Sequence, residues 1–89
     1  MPKRYVVEIS RSAERQLKTI NRKDQARIVQ AILTLEINPL PIGVRKLSGY
    51  EDVYRIRVGT YRVIYNVEGR KLLIIVLKIG HRKDVYRGL

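Results

Sequence analysis

Cysteine is absent from this chain of 89 residues, and its one histidine is His81. Without cysteine there is no disulfide framework and no thiol chemistry. One histidine with no cysteine also argues against a structural zinc site. We therefore expect a protein that works without a metal ion or another cofactor.

Long apolar runs are missing as well. No run approaches the ~20 residues that a membrane span requires. The N-terminal segment, MPKRYVVEIS, is too short and too polar for a signal peptide. The length suits one domain with one modest core. We expect a single domain over residues 1–89, a cytoplasmic location by default and no membrane partner.

Acidic residues are scarce, with 8 Asp and Glu against 19 Lys and Arg, which gives a formal net charge of +11. Such a surplus predicts a polyanionic partner, although solvated surface charge is the plainer explanation. Here the charge also enters predicted strand interiors. The sequence shows no Gly-rich phosphate loop before a helix, no metal-ligand cluster and no spaced pair of carboxylates for acid–base chemistry.

The apolar patterns predict an α+β fold. A strand is expected at residues 5–9, followed by a helix capped by Ser10 or Ser12 and a second helix capped by Asn21. Asp24 then stands where a capping box would place it. A short strand at residues 44–47, a hairpin and an apolar run at residues 71–79 follow. We expect an N-terminal strand and a two-helix hairpin packed on one face of a mostly antiparallel sheet of four to five strands.

The hairpin is predicted from residues 53–67, VYRIRVGTYRVIYNV. Two apolar–polar alternations flank Gly59-Thr60, a dipeptide suited to a tight turn. With this turn, one face is apolar and tyrosine-rich, and the other carries Arg55, Arg57 and Arg62. We call the second face the arginine face and expect it to be open to solvent.

Arg57 and Arg62 would be directly opposite each other in this hairpin. Like charges in such positions destabilise a pair of strands by roughly 0.2–1 kcal/mol. A fold tolerates this cost most easily where an anion binds, and arginine has a planar donor fork that suits phosphate oxygens. We interpret the arginine face as an anion site; the alternative is an exposed face with incidental charge.

Further candidates follow the last predicted strand. His81, Arg82 and Tyr86 come directly after it and are expected to reach the arginine face. Lys78 lies within that strand, and its face depends on the loop at residues 68–70, since two-residue and three-residue loops give opposite registers. Other cations are either solvated surface charge or a source of attraction to RNA: Arg45, Lys46, Arg15, Lys18, Arg22, Lys23 and Arg27.

Four segments together resemble a known family: residues 46–49 (KLSG), 54–65 (YRIRVGTYRVIY), 80–82 (GHR) and 85–86 (VY). They are similar to RelE-type toxins of the RelE/ParE superfamily, over about residues 5–86. The resemblance implies a RelE-like fold and a toxin that cuts mRNA in the ribosomal A site without metal, in contact with mRNA and rRNA. It also implies a cognate antitoxin as a partner.

The resemblance also assigns roles to residues. It implies that Arg55, Arg57 and Arg62 hold the scissile phosphate, that Arg82 adds charge, and that Tyr86 stacks on a base. This chain departs from the familiar pattern in having arginines in place of a lysine pair and a histidine, at position 81, in place of a lysine.

Arginine stays protonated, so the residue that accepts the proton is open, with the late histidine and tyrosine as candidates. Two alternative functions are a ParE-like inhibitor of DNA gyrase with the same fold and a non-catalytic RNA-binding relative.

Overall fold

The computed structural model describes residues 4–81 and residue 85. In chain order, its elements are β1 (Val6–Ile9), α1 (Arg11–Lys18), α2 (Arg22–Thr34), β2 (Arg45–Lys46), β3 (Val53–Val58), β4 (Tyr61–Glu68), a 3₁₀ turn (Gly69–Lys71) and β5 (Leu73–His81). In this part of the chain, neither helix has the length and apolar composition that crossing a membrane would require.

The five strands form one sheet in the order β1-β5-β4-β3-β2. Strand β1 is parallel to β5, and the other three pairings are antiparallel. Both helices contribute to the core on one face of this sheet. The predicted α+β architecture is therefore confirmed, including the interior position of β5, whose long apolar sequence is buried between β1 and β4.

Both helices begin at the predicted caps. The Ser10 hydroxyl accepts a hydrogen bond from the Ala13 amide (3.1 Å) and donates one to the Leu77 carbonyl (2.9 Å), so it joins α1 to β5. At α2, the Asn21 side-chain oxygen accepts from the Asp24 amide (3.0 Å), and the Asn21 side-chain nitrogen donates to the Asp24 carboxylate (2.9 Å). These bonds satisfy amides that have no partner within the helix.

The main core lies between the helices and the tyrosine-rich face of the hairpin. Ala13, Ile28 and Ile32 of the helices pack with Val63 and Tyr65 of the sheet. This packing confirms the predicted orientation of the hairpin, with its apolar face toward the helices. Burial of the apolar face holds the strands in a single register, because a slip of one residue would expose it.

Tyr65 is fully buried in this core, and its hydroxyl donates a hydrogen bond to the Pro39 carbonyl (2.7 Å). The bond ties the loop after α2 to the middle of the sheet. Burial, with a contribution from nearby Tyr54, raises the pKa of the Tyr65 hydroxyl above its ordinary value. Its neutral, hydrogen-bond-donating form is therefore favoured.

The arginine face is only partly open, which corrects the expectation of a fully open face. A second apolar cluster lies on it, formed by Val53, Ile64 and Val85 with Leu47 and Leu77 at its margin. Val85 is 1% exposed although it follows the last strand. Ile64 is thus covered by apolar side chains. Arg55 pairs with Ile64, whereas Arg57 and Arg62 lie nearer the hairpin turn.

Candidate anion-binding site

Arg57 and Arg62 are directly opposite each other on β3 and β4, as predicted. The turn between the strands is Gly59-Thr60, and Gly59 has a φ of +61°, a conformation that costs glycine little. Arg57 is exposed and Arg62 is half-buried. With Tyr61, these residues line a cavity of about 220 Å³ at the end of the hairpin. The pair is therefore placed to hold an anion between two guanidinium groups.

A second cavity, of about 520 Å³, adjoins the first along the same face. It is lined by Gly43, Arg45, Arg55 and Arg57, and Arg45 pairs directly with Arg55 across β2 and β3. The Nε of Arg55 is buried and has no hydrogen-bond partner among the described residues. A buried donor without a partner costs about 1–3 kcal/mol. An anion bound in this cavity would supply the missing acceptor.

Arg45, Arg55 and Arg57 form no ion pair with a carboxylate in the described part of the chain. Among residues 4–81 and 85, the ion pairs join Glu14 to Lys18, Asp24 to Arg27 and Glu68 to Lys71. None of the three pairs includes Arg45, Arg55 or Arg57. The charges of these three arginines therefore stay available to an anion.

Lys78 also lies on the arginine face. The cause is a β-bulge within the strands, and not the length of the loop at residues 68–70 that the sequence analysis considered. The β4–β5 connection leaves Glu68 paired with Leu73, and this register alone would turn Lys78 toward the helices. A β-bulge corrects it: Tyr65 pairs with Val76 and Ile64 pairs with Lys78, which leaves Leu77 as the extra residue.

Val85 lies on the arginine face. The Val85 Cβ lies 3.7 Å from the point that a Cβ of residue 80 would occupy, and Gly80 is the residue paired with Arg62. Val85 therefore lies beside the Gly80–Arg62 pair. Arg82 and Tyr86 lie outside the described residues.

The predicted placement of His81 is wrong. His81 pairs with Tyr61, so its side chain is on the helix side of the sheet, and the two ring centroids are 4.1 Å apart. Lys46 pairs with Tyr54 and also points to the helix side. In both cases the cause is the alternation of side chains along a strand, which places neighbours such as Arg45 and Lys46 on opposite faces.

Arg27, which the sequence analysis left as either solvated charge or a source of attraction to RNA, lies at the rim of the site. From α2 its guanidinium reaches the hairpin turn. Its Nη1 lies 3.3 Å from the point that a Cβ would occupy if residue 59 were not glycine. Its side chain thus lies beside the cavity that Arg57 and Arg62 line. No local pattern in the sequence reports this contact, because it depends on how α2 packs over the sheet.

These side chains can bind and polarise a phosphate group. Arginine forks form paired, charge-assisted hydrogen bonds to phosphate oxygens, and strands position them more rigidly than a loop does. In the described part of the chain, no group of three His, Asp or Glu residues is arranged to hold a metal ion. The chemistry that this face offers is anion binding and stabilisation of negative charge.

Known proteins carry the same fold and related sequences. The family described as the ParE toxin of the type II toxin–antitoxin system parDE matches residues 7–86. Toxin RelE1 of Methanocaldococcus jannaschii is 32% identical over 87 residues, which cover 94% of this chain and 97% of the relative. Toxin RelG of Mycobacterium tuberculosis is 31% identical over 87 residues, covering 93% and 97%.

Among solved structures, the archaeal RelE–RelB complex from Pyrococcus horikoshii matches with a TM-score of 0.80 at 33% identity, over 93% of this chain and 98% of the other. The RelBE2 toxin–antitoxin complex from Mycobacterium tuberculosis matches with a TM-score of 0.79 at 25% identity, over 89% and 92%. These matches extend over nearly the whole sheet and both helices. The chain therefore belongs to the RelE/ParE superfamily of type II toxin–antitoxin toxins, as a RelE-type member.

Proposed function

We propose that this toxin is an endoribonuclease that cuts mRNA in the ribosomal A site without a metal ion. The observation that carries the proposal is the Arg57–Arg62 pair, two like charges held opposite each other on a rigid hairpin. Directly opposed like charges are unfavourable in themselves, and an anion bound between the two guanidinium groups would offset their repulsion. The buried, unpartnered Nε of Arg55 in the adjoining cavity supports the same conclusion.

The proposed reaction uses the ribose 2′-hydroxyl of the substrate as nucleophile. Its oxygen forms a bond to the adjacent phosphorus, the bond from phosphorus to the 5′-oxygen breaks, and a proton passes from the 2′-hydroxyl to a base. A second proton is delivered to the departing 5′-oxygen. The products are a 2′,3′-cyclic phosphate and a 5′-hydroxyl.

Arg57 and Arg62 stabilise the extra negative charge that develops on the phosphate oxygens. Removing one such donor typically costs ~10²–10³ in rate. Arg55 orients the phosphate from the adjoining cavity, and the rigid sheet keeps these donors in place during the reaction.

The remaining roles rest on the resemblance and on the position of the C-terminal segment. Arg82 and Tyr86 are proposed to complete the site, because Val85 between them packs on the arginine face. Tyr86 stacks on a splayed base or moves a proton. Lys78 shares this face and is proposed as a further contact to the RNA phosphates.

An antitoxin is the proposed protein partner. The two solved complexes named above pair a RelE-type toxin with RelB-type antitoxins. The net charge of +11 makes this chain a suitable electrostatic target for an acidic segment. We expect a stable complex when the toxin is coexpressed with the product of the neighbouring gene; failure to recover one would contradict this part of the proposal.

A second candidate function is inhibition of DNA gyrase, favoured by the ParE description of the matching family. The two candidates require different sites. A gyrase inhibitor has no need for opposed arginines or for a donor without a partner. A non-catalytic relative would bind RNA through the same face but show no turnover.

The test is cleavage of an mRNA bound to translating ribosomes, mapped by primer extension, with a gyrase supercoiling assay in parallel. We expect cuts at A-site codons that end in a cyclic phosphate, no inhibition of supercoiling, and loss of the cuts in Arg62→Ala. Inhibition of supercoiling without cuts would assign the gyrase function instead. RNA binding with neither effect would indicate a non-catalytic protein.

A further inference from the structure

A cavity of about 330 Å³ lies on the helix side of the sheet, at the ends of β4 and β5. Its walls are Gln16, Thr19 and Ile20 from the helical layer, and Tyr61, Ile79, Gly80 and His81 from the sheet. It is a different cavity from the two that the arginines line. Its size falls within the range of small-molecule sites, which are roughly 300–1,000 Å³.

Two aromatic rings form one wall of the cavity. The centroids of Tyr61 and His81 are 4.1 Å apart, with an angle of 36° between the ring planes. His81 is exposed and Tyr61 is half-buried, so the histidine ring is anchored from beneath and presents surface to solvent. Aromatic side chains of this kind are platforms for unpaired bases of single-stranded RNA.

Polar groups line the opposite wall. The Gln16 side-chain oxygen accepts a hydrogen bond from the Ile79 amide (2.7 Å), which fixes the carboxamide and leaves its two N–H donors for another partner. The Thr19 hydroxyl donates to the Gln16 carbonyl (2.7 Å), so its oxygen keeps the capacity to accept. Donors and an acceptor beside aromatic and apolar surface match the edge and the faces of a nucleobase.

The cavity adjoins the anion site through one residue. Tyr61 lines both the cavity of Arg57 and Arg62 and the cavity of His81. The Tyr61–His81 pair is also the last pair of the β4–β5 ladder, so an RNA strand on the arginine face can cross the rim of the sheet there. One nucleotide could then have its phosphate on one side of the rim and its base on the other.

We propose that this cavity binds one unpaired nucleobase of the RNA substrate, stacked on the His81 ring and contacted by Gln16 and Thr19. The proposal rests on the proposed function for the phosphate but makes a separate claim. His81 then contributes to substrate selection as a binding residue, and the base preference of the toxin depends on the polar wall of the cavity.

The test is equilibrium binding of the full-length toxin to a short, fluorescently labelled RNA made uncleavable by 2′-O-methyl groups. The same RNA is compared with versions that lack a single base at each position in turn. With wild-type toxin, we expect loss of one particular base to weaken binding roughly 5- to 100-fold, the value of stacking one base. His81→Ala should weaken binding of the intact RNA by a similar factor.

The diagnostic result is coupling between the two changes. His81→Ala should cause no further loss with the RNA that lacks that base, whereas His81→Phe should retain most of the affinity because it keeps an aromatic ring. Thr19→Val should weaken binding of the intact RNA. Thr34→Val is the matched control, since Thr34 makes the same hydroxyl-to-carbonyl bond at the end of α2 (2.6 Å to Ala31), far from the cavity.

The outcomes separate this proposal from the proposed function. If His81→Ala and base removal act independently, or if His81→Ala has no effect, the base cavity is refuted even where Arg62→Ala weakens all the RNAs equally. If coupling is found but Arg62→Ala changes nothing, the base cavity stands and the phosphate site is wrong. Unchanged thermal melting of His81→Ala establishes that the variant is folded.

Discussion

Arg57 and Arg62 lie directly opposite each other on the arginine face. Their pair is next to the Val58–Tyr61 pair, which closes the hairpin. Side chains of a directly opposed pair have Cβ atoms about 5 Å apart. Like charges in directly opposed positions repel each other, and this repulsion is unfavourable to the folded hairpin. The same repulsion favours a bound phosphate, which relieves it.

Removing one of these charges should therefore stabilise the free protein and slow its cleavage of RNA. We expect Arg57→Thr to raise the free energy of unfolding by roughly 0.2–1 kcal/mol and to slow RNA cleavage. Urea denaturation and a cleavage assay on the same preparation measure both effects. Lys46→Thr is the control, because it removes the same charge from a strand position opposite Tyr54 rather than opposite another cation. A loss of stability in Arg57→Thr would show that the pair carries no strain.

The two residues of β2 test whether RNA binds specifically on the arginine face. Arg45 pairs with Arg55 on the arginine face, and Lys46 pairs with Tyr54 on the helix side. Arg45→Ala should weaken single-stranded RNA binding and reduce the slope of log affinity against log salt by about 0.7, the value for one phosphate contact. Lys46→Ala should leave that slope nearly unchanged. Equal slopes for the two variants would mean that RNA is attracted by overall charge alone.

The hairpin turn depends on glycine. Gly59 has a φ of +61°, so Gly59→Ala should cost about 1–2 kcal/mol of stability. The added Cβ would lie 3.3 Å from Nη1 of Arg27, and that guanidinium would have to move. Gly69→Ala is the matched control, since Gly69 lacks a positive φ and has no heavy atom within 4 Å of the added Cβ. Thermal melting of both variants measures the difference. Equal melting temperatures would contradict the account of the turn.

Tyr65 links stability to pH. Because burial raises the pKa of its hydroxyl above the ordinary value of 10.0, the folded state holds this proton more tightly than the unfolded state. The stability that the protonated Tyr65 hydroxyl contributes is fully present below about pH 10. It is lost as the pH rises further. Tyr65→Phe should cost about 1 kcal/mol at pH 7, since the Pro39 carbonyl loses its donor.

Denaturation of wild type and Tyr65→Phe between pH 7 and pH 11 measures this difference. We expect a constant gap in unfolding free energy up to about pH 10 and a narrowing gap above it. Comparing the two proteins cancels the titration of the lysines that they share. A gap that stays constant to pH 11 would mean that the phenol is not protected by burial.

Local sequence patterns predicted the parts of the fold whose determinants are close together in the chain. The Gly59-Thr60 turn and the alternation on either side of it were sufficient for the register of Arg57 with Arg62. Asn21 and Asp24 indicated the start of α2 in the same way. In each case the groups that interact are separated by only a few residues.

The parts that sequence did not predict depend on distant contacts. The face of Lys78 is decided by the bulge at Leu77, where the Ser10 hydroxyl binds the Leu77 carbonyl from 67 positions away. The Gln16 side chain similarly receives the Ile79 amide from 63 positions away and supports the end of β5 that carries His81. The apolar–polar pattern of a single segment carries no information on such distant bonds. The faces on which Lys78 and His81 lie could therefore be assigned only from the tertiary structure.

The most direct test of the central claim is the single-turnover rate at which the toxin cleaves a ribosome-bound mRNA, measured for wild type, Arg62→Ala and Lys46→Ala. The arginine-face account predicts cleavage by the wild type, a rate lower by ~10²–10³ in Arg62→Ala, and a nearly unchanged rate in Lys46→Ala. Equal rates for wild type and Arg62→Ala, or no cleavage by folded wild-type toxin, would contradict it.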